Sequence, residues 1–305
     1  MNSKKKGMTL VAKQRAAGWL FLAPASIMIA VMSFYPMIRA FIISLQTGAG
    51  ANMRFAEPIF SNYKRIMADK VFQQSIVNTF LYLIIQVPIM LVLAILLAQL
   101  LNNKDLKFRG FFRTCVFLPC ATSLVSYSLI FRSMFATDGL INSILIKLGI
   151  LSTGYNFLGN STSAKIVIIL ALIWRWTGYN MVFYLAGLQN IEYSVYEAAK
   201  IDGANTWQTI WGVYMPCAKP AYLSFAVISV SYHWNNYLWP LIVTNSPTNR
   251  TLTVGLAIFA KSKEANMQWA NVCAAAFIII VPLLLAFLVA QKQFMSSFVS
   301  AGIKE

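Results

Sequence analysis

The feature that most constrains this chain is a series of long apolar stretches that contain almost no charged residues. A helix that crosses a lipid bilayer needs about 20 mostly apolar residues, and six stretches meet that requirement. They are Ala16–Leu45, Gln73–Leu101, Gly110–Phe135, Ala164–Leu188, Ala221–Val243 and Gln268–Gln291. The sequence therefore predicts an all-α integral membrane protein with six transmembrane helices.

The composition indicates that a bilayer, and not water, surrounds most of this chain. Hydrophobic residues make up 58% of the 305 residues and charged residues only 11%, whereas a soluble domain carries about 25% charged residues. The net charge is +16, but the Lys and Arg residues lie between the apolar stretches. We therefore expect contacts with lipid headgroups and no binding of nucleic acid. The four cysteines are spaced neither as a disulfide framework nor as a zinc site.

The positions of the cations predict the orientation of the chain in the membrane. The N-terminal tail and the short loop 102–113 concentrate nine Lys and Arg residues beside span ends, and such residues favour the cytoplasmic side. Both termini are therefore expected in the cytoplasm. We predict one membrane domain over 16–291, with cytoplasmic tails at 1–15 and 292–305 and a cytoplasmic loop at 189–220.

The predicted cytoplasmic loop gathers scarce acidic residues. The chain has nine Asp and Glu residues, and Glu192, Glu197 and Asp202 fall within eleven positions. A helix is expected up to Ile201, with a break at Gly203, which tolerates backbone angles that other residues avoid. Asn205 or Thr206 would then cap a second helix. By shape alone, this helix–turn–helix could also be an interfacial hairpin that merely joins two spans.

The spacing in this loop is more specific than its shape. Glu197-Ala198-Ala199, three residues, Gly203, nine residues and Val213-x-Met215-Pro216 resemble the E-A-A loop of permease subunits of ABC importers, with Val and Met in place of Ile and Leu. The stretches "GWLFLAPASIMIAVMSFYPMI" and "AGLQNIEYSVYEAAKIDGA" resemble the carbohydrate-importing branch, of the maltose and glycerol-3-phosphate type.

This resemblance implies a type I importer permease fold in which Glu197–Pro216, hereafter the coupling segment, docks on a cytoplasmic ATPase. It implies contacts to that ATPase from Glu197, Ala198, Ala199, Asp202, Gly203 and Pro216. It further implies a heterodimer with a second permease, two ATP-binding cassette subunits, an extracytoplasmic sugar-binding protein and a carbohydrate substrate. The expected location is the bacterial inner membrane. The N-terminal half resembles the first permease of the pair and "WNNYLWPLIVTNSPTNRTLTVGLA" the second, and the opening span and the loop after it favour the first.

A sugar hydroxyl that is buried without a hydrogen-bond partner costs roughly 2–7 kcal/mol. A path for a sugar therefore needs polar side chains inside the membrane, and two stretches supply them. In the fourth span the candidates are Gly178, Tyr179 and Asn180, although small residues and amides also pack helices together. In the fifth span Ser229, His233 and Asn236 are spaced for one helix face, with Asn235 to one side, and the resemblance places the first three at sugar contacts. The alternatives are contacts to a partner permease and, for His233, a satisfied buried histidine.

The cation Arg175 lies near the middle of the fourth span, where insertion costs about 2.5–3.5 kcal/mol. It is expected either to pair with a carboxylate of a partner chain or to extend to the outer surface, and its role is left open between structure and function.

The chain carries no P-loop, whose lysine binds the phosphates of ATP, and no pattern of catalytic residues. We therefore expect a non-enzymatic subunit without a cofactor of its own, with ATP and Mg²⁺ bound by the partner ATPases. The alternative is an ion-coupled secondary transporter of a polar solute. Such transporters place ionisable groups inside the membrane, and no Asp or Glu falls within a predicted span here.

Overall fold

The computed structural model describes residues 9–48, 52–103, 106–189, 191, 193–217, 219–243, 247–261 and 269–302. These residues are almost entirely helical. The strands within them are β1 (Gln46–Thr47) and β2 (Arg54–Phe55), which pair antiparallel with Gln46 opposite Phe55. The predicted all-α class is confirmed. Glu192 and the ends of both tails lie outside the described residues.

The chain divides into two compact units. One comprises Met1–Ile66 with Ala260–Phe277, and the other comprises Met67–Phe259 with Ile278–Glu305. The first unit contains α1 (Leu10–Ile29), a π-helical turn (Ala30–Phe34) and α2 (Tyr35–Ser44), which together form one apolar rod. Thr9 is the N-cap of α1, and its hydroxyl accepts a hydrogen bond from the Ala12 amide, as expected of an N-cap residue.

The short helix α3 (Ser61–Ala68) is held to the end of α2 by side-chain hydrogen bonds. The Asn62 amide donates to the carbonyl oxygens of Ser44 and Gln46, at 2.8 Å each. The hydroxyls of Ser44 and Tyr63 are 2.7 Å apart. The bond to Ser44 satisfies a backbone carbonyl that the end of α2 leaves free.

The second unit is built on two long helices, α4 (Lys70–Asn102) and α8 (Ser161–Gln189). The small residues Ala94 and Ala98 of α4 are fully buried in one cluster with Met181 and Leu185 of α8. Small residues let helix backbones approach closely, which is the usual means of packing helices in membranes. This pair of helices provides the frame on which the candidate site residues are placed.

The predicted third span is broken. It forms α5 (Arg109–Ala121) and α6 (Leu124–Met134), which are bent by 93° at Thr122 and Ser123. Downstream of it lies α7 (Leu140–Lys147), where Asn142 donates to the carbonyl oxygens of Ala136 and Tyr155.

The coupling segment and the region beyond it consist of shorter helices that end in one long helix. They are α9 (Tyr193–Ile201), α10 (Thr206–Thr209), a π-helical turn (Ile210–Tyr214), α11 (Met215–Cys217), α12 (Lys219–Trp234), α13 (Leu238–Val243), a 3-10 turn (Pro247–Asn249), α14 (Leu252–Lys261) and α15 (Trp269–Gly302). The predicted fifth span is therefore divided between α12 and α13.

Within the described part of the chain, four helices are long and apolar enough to cross a membrane. They are Leu10–Ser44, Lys70–Asn102, Ser161–Gln189 and Trp269–Gln291, and the bent pair α5–α6 would make a fifth. The predicted count of six spans requires that the divided fifth stretch also crosses the membrane, so that count stays a prediction.

Candidate functional site

The coupling segment folds as the helix–turn–helix that its sequence predicts. α9 ends at Ile201 and is followed by a turn at Gly203, whose φ of +72° lies in the left-handed region. The Ala204 amide donates back to the Ala199 carbonyl oxygen at 3.0 Å. Glycine is the usual residue at such a helix end. A Cβ at Gly203 would meet nothing within 4 Å, so in this chain its backbone angle, and not crowding, calls for glycine.

Asn205 is the residue that caps the second helix. Its side-chain oxygen accepts from the Gln208 amide at 2.9 Å, and the Gln208 side chain accepts from the Asn205 amide at 2.8 Å. This reciprocal pair is a capping box. The prediction of a cap at Asn205 or Thr206 is thus confirmed for Asn205.

One side of the coupling segment is buried and the other is exposed. Ala199 is buried, and Ile210 is 2% exposed in the cluster that includes Leu101 of α4 and Leu188 of α8. Most of the candidate ATPase-contacting residues are exposed: Glu197, Ala198, Asp202, Gly203 and Pro216. The buried side joins the segment to the ends of the two frame helices, and Ala199 belongs to that side.

Sequence reasoning missed the aromatic part of the exposed side. Trp207 and Trp211 are 59% and 57% exposed, and Ile201 is 84% exposed. Trp207 and Trp211 are four positions apart, so they occupy neighbouring positions on one side of a helix. That spacing is visible in the sequence and could have identified them. In the sequence they follow shortly after the exposed acidic residues Glu197 and Asp202.

The fourth-span candidates are occupied by contacts within the chain. A Cβ added at Gly178 would overlap the backbone carbonyl of Val116 in α5, so the space beside this glycine is filled by another helix. Asn180 is buried, and its amide donates to the Trp176 carbonyl oxygen at 2.8 Å and contacts the Met90 sulfur at 3.6 Å. Both observations favour the alternative of helix packing at these two positions.

Tyr179 lies in a band of aromatic rings. Its ring centroid is 5.6 Å from that of Trp176 and 4.7 Å from that of Phe183. The Trp176 ring also lies 4.4 Å from that of Tyr232 in α12. The band therefore joins α8 to α12, and its half-buried rings offer the apolar faces that a sugar ring can stack on.

The sequence predicts that the fifth-span candidates share one helix face, but in the structure they do not. Ser229 and His233 lie on α12 and are buried, but α12 ends at Trp234. Asn236 therefore lies beyond the helix, with its carbonyl oxygen accepting from the Thr253 hydroxyl at 2.8 Å. Asn235 is exposed, and its amide donates to the Ser231 carbonyl oxygen at 2.8 Å. The expected helical spacing of Asn236 was wrong because the helix stops two residues earlier.

Gln86 of α4 is a further residue that sequence reasoning missed. It is 1% exposed, and its amide nitrogen lies 3.0 Å from Nδ1 of His233 and 3.2 Å from Nε2. The same amide nitrogen is 4.0 Å from the sulfur of Met90, which also contacts Asn180. These side chains connect α4, α8 and α12. A lone amide inside the apolar run "LIIQVPIM" was the available signal.

Arg175 does not extend to the outer surface, which was one of the two contacts expected from the sequence. It is 4% exposed and points to the break between α5 and α6. Its terminal nitrogens donate to the carbonyl oxygens of Pro119, Cys120 and Thr122 and to the Thr122 hydroxyl, at 2.8–3.1 Å. None of these acceptors is a carboxylate, so these bonds keep Arg175 within its own chain.

Comparisons with known proteins agree with this architecture. The family model described as "Binding-protein-dependent transport system inner membrane component" matches residues 65–296. The chain is 43% identical over 251 residues to the lactose transport system permease protein LacF of Rhizobium radiobacter, covering 79% of this chain and 82% of that protein. It is 31% identical over 290 residues to the arabinooligosaccharides transport system permease protein AraP of Bacillus subtilis, covering 93% and 90%.

A solved structure shares the fold. A chain in the crystal structure of a bacterial ABC transporter involved in the import of alginate superposes with a TM-score of 0.73 and 20% sequence identity, covering 92% of this chain and 96% of that chain. At this identity the likeness concerns the fold. The arrangement of α4, α5, α8 and α12 is thus one that is found in an experimentally determined importer.

Proposed function

Because the chain belongs to the family of inner membrane components of binding-protein-dependent transport systems, we propose that it is the membrane-spanning subunit of a bacterial ABC importer for a sugar. It would form the path together with a second, related permease. Two ATPase subunits would dock on the cytoplasmic side, and an extracytoplasmic binding protein would deliver the sugar. The predicted location is the inner membrane, with both termini in the cytoplasm.

The observation that carries this proposal is the two-sided coupling segment. Its exposed side presents carboxylates at Glu197 and Asp202 with the large apolar surfaces of Trp207 and Trp211. A docking ATPase would supply a groove with basic residues for the carboxylates. Paired charges favour one docking position over others more than they add affinity, whereas buried aromatic side chains contribute most of the energy in many interfaces.

The buried side of the segment supports a mechanical role. Ile210 packs against the ends of α4 and α8, which are the helices that position Gln86, Asn180 and the aromatic band. Closely packed cores transmit displacement, because they have few voids that could absorb it. ATP-driven closure of the ATPases would therefore move α4 and α8 together and change the side from which the path is open.

The proposed path runs along the facing sides of α8 and α12. Its polar members are Ser229, His233 and Asn236, and its aromatic members are Tyr179 and Tyr232. A sugar would form hydrogen bonds with the first group and stack on the second, which offsets the cost of removing its hydroxyls from water. This chain would bind and guide the substrate without covalent chemistry, while ATP and Mg²⁺ stay on the partner subunits.

The substrate class follows from the same comparison. Relatives of this chain are named as lactose and arabinooligosaccharide transport permeases, which are proteins for sugars of two or more units. We therefore propose a neutral di- or oligosaccharide as the transported solute.

Purification from native membranes tests the assembly. We expect the tagged chain to co-purify with an ATPase and a second permease. Glu197→Lys should abolish recovery of the ATPase, because it places a cation against the proposed basic groove. Asp138→Lys is the matched control, since Asp138 is an exposed acid outside the coupling segment, and it should leave recovery unchanged. Equal ATPase recovery with both variants would refute the docking assignment.

Uptake into proteoliposomes tests the path. Ser229→Ala and Asn236→Ala should lower sugar uptake while the amount of co-purified ATPase stays at the wild-type level. Uptake should require ATP and should persist when proton and sodium gradients are collapsed. Uptake that follows an ion gradient without ATP would instead identify the ion-coupled secondary transporter.

A further inference from the structure

The strongest feature that the proposed function leaves unexplained is Arg175, a buried cation in the middle of α8. Burying an isolated charge is costly unless it is paired and hydrogen-bonded. In the part of the chain that the structure describes, no carboxylate lies against this guanidinium, and its polar contacts are those at the break of the third span. The compensating groups must therefore be at that break.

The acceptors of Arg175 are the groups that a helix end leaves free. The last four carbonyl groups of a helix have no partner within it, and two of the acceptors, Pro119 and Cys120, belong to the last turn of α5. The C-terminal end of a helix also carries a partial negative charge that favours a cation. Arg175 thus terminates α5 from a neighbouring helix, with the aligned dipoles of α5 as its counter-charge.

The other arm of the bend contacts the same guanidinium. The centroid of the Tyr127 ring of α6 lies 4.6 Å from the central guanidinium carbon, within the range of a cation–π interaction. Tyr127 is 1% exposed and also packs against Trp239, with ring centroids 5.1 Å apart. Arg175 therefore contacts both arms of the broken span, and the arms are held relative to α8 by one side chain.

The count of terminal donors argues against Arg175 as a ligand for an acidic sugar. A guanidinium has five N–H donors, two on each terminal nitrogen and one on Nε. The four terminal donors match the four observed acceptors, two for each nitrogen. The Nε–H has no hydrogen-bond partner among the described residues. A carboxylate could bind both terminal nitrogens only if the bonds at the end of α5 and at Thr122 were lost.

We propose that Arg175 is the positioning residue that holds the third span in two pieces, with α5 ended at Ala121 and α6 turned away from it. The bend lies beside the proposed path, because the ring of the next residue, Trp176, lies 4.4 Å from the Tyr232 ring and 5.9 Å from the His233 ring. The consequence for transport rests on the proposed function, whereas the effect on the bend does not.

The bend can be measured directly with spin labels at Phe112 in α5 and Ile130 in α6, two exposed positions. The four native cysteines, Cys115, Cys120, Cys217 and Cys273, would first be replaced by Ser. At 1.5 Å of rise per residue, a straight helix places the two Cα atoms about 27 Å apart, whereas arms at a right angle place them about 19 Å apart. Electron–electron resonance in lipid nanodiscs separates these two distances.

We expect the short distance in the otherwise unaltered chain and a shift of several ångströms towards the long one in Arg175→Met. Arg175→Lys should give a partial shift, because an ammonium is a single point that cannot reach all four acceptors. Arg132→Met is the control, since Arg132 is an exposed cation of α6, and it should keep the short distance. A wild-type distance distribution in Arg175→Met would overturn the proposal.

Milder variants keep the proposal testable if Arg175→Met does not insert. Thr122→Val removes one acceptor, and Tyr127→Leu removes the ring while Arg175 stays in place. Both should broaden the distance distribution, and Tyr127→Phe, which keeps the ring, should not. Unchanged distributions in Thr122→Val and Tyr127→Leu would count against Arg175 as the residue that holds the bend.

Uptake separates positioning from substrate binding. Arg175→Met should lower uptake of a neutral and an acidic oligosaccharide alike, at least tenfold, with the ATPase still co-purifying, and Arg175→Lys should restore part of it. A loss confined to the acidic sugar would make Arg175 a substrate ligand and overturn the proposal. Failure of the unaltered chain to recover an ATPase would instead refute the proposed function, while the spin-label result would still stand.

Discussion

The coupling segment and the facing sides of α8 and α12 differ in where their polar side chains find partners. In the coupling segment, Glu197 and Asp202 are exposed, and the proposed partner is another protein. Between the helices, Asn180, His233 and Arg175 are buried and contact groups of their own chain. The comparison teaches that a polar residue in a membrane stretch is first a packing element, and that a motif identifies function more directly where the chain is exposed.

The largest effect is expected from a substitution that disrupts packing between the buried helices. Gly178→Ala places a Cβ onto the backbone carbonyl of Val116, and backbone yields less readily than a side chain. We expect destabilisation at or above the upper end of the usual overpacking cost of about 1–3 kcal/mol. Thermal unfolding in detergent measures it. Gly110→Ala, in the helix that Gly178 contacts, meets nothing within 4 Å and should unfold like the wild type.

The next largest effect is expected at the Gln86–His233 contact between the buried helices, and it tests whether this contact stabilises the fold. Gln86→Leu leaves a buried ring nitrogen without its donor, which costs about 1–3 kcal/mol. Replacing both partners by apolar groups is far less costly. The double variant Gln86→Leu, His233→Leu should therefore unfold at a higher temperature than Gln86→Leu alone. Additive losses in the double variant would mean that the two residues act independently.

A smaller effect tests the exposed side at the turn of the coupling segment. The positive φ of Gly203 costs an ordinary residue about 1–2 kcal/mol, whereas asparagine tolerates it better. We expect Gly203→Val to reduce sugar-stimulated ATPase activity of the reconstituted complex and Gly203→Asn to retain most of it. Equal, strong losses in both variants would show that a partner backbone occupies the space beside Gly203, as close docking requires.

The smallest effect is expected at Asn235. This residue is exposed, and its side-chain amide donates to the carbonyl oxygen of Ser231 in the last turn of α12. Asn235→Ala should change the free energy of unfolding by no more than about 0.5 kcal/mol and should leave the affinity for the sugar unchanged. A marked rise in the KM for uptake would place Asn235 in the path despite its exposure.

Much of the fold was available from the sequence because its signals are local. Hydropathy located the long helices to within a few residues, as at Gln73–Leu101 against the observed Lys70–Asn102. Gly203 marked the end of α9, and Asn205 marked the start of α10, because caps depend on residues only a few positions apart. The resemblance to carbohydrate-importing permeases, which the comparisons confirm, rested on the same kind of short-range spacing.

The errors fell where the outcome depends on contacts between distant residues. The third and fifth stretches are mostly apolar along their whole length, so hydropathy predicts continuous spans, yet both are interrupted. Asn236 was placed on a helix face by its spacing, which holds only while the helix continues. Gln86 and His233 are 147 positions apart, and the local sequence around either residue does not predict contact with the other.

The sequence by itself determined the membrane class, the family and the residues of the coupling segment, because hydrophobicity and motif spacing are properties of neighbouring positions. Only the tertiary structure decided what the buried polar groups do. Gly178 leaves room for the backbone of α5, and the Gln86 amide donates to the His233 ring. Arg175 donates to carbonyl groups at the end of α5 and lies over the Tyr127 ring of α6. Inside a membrane a polar group must find a partner within protein, and which partner it finds is fixed only when the helices are assembled.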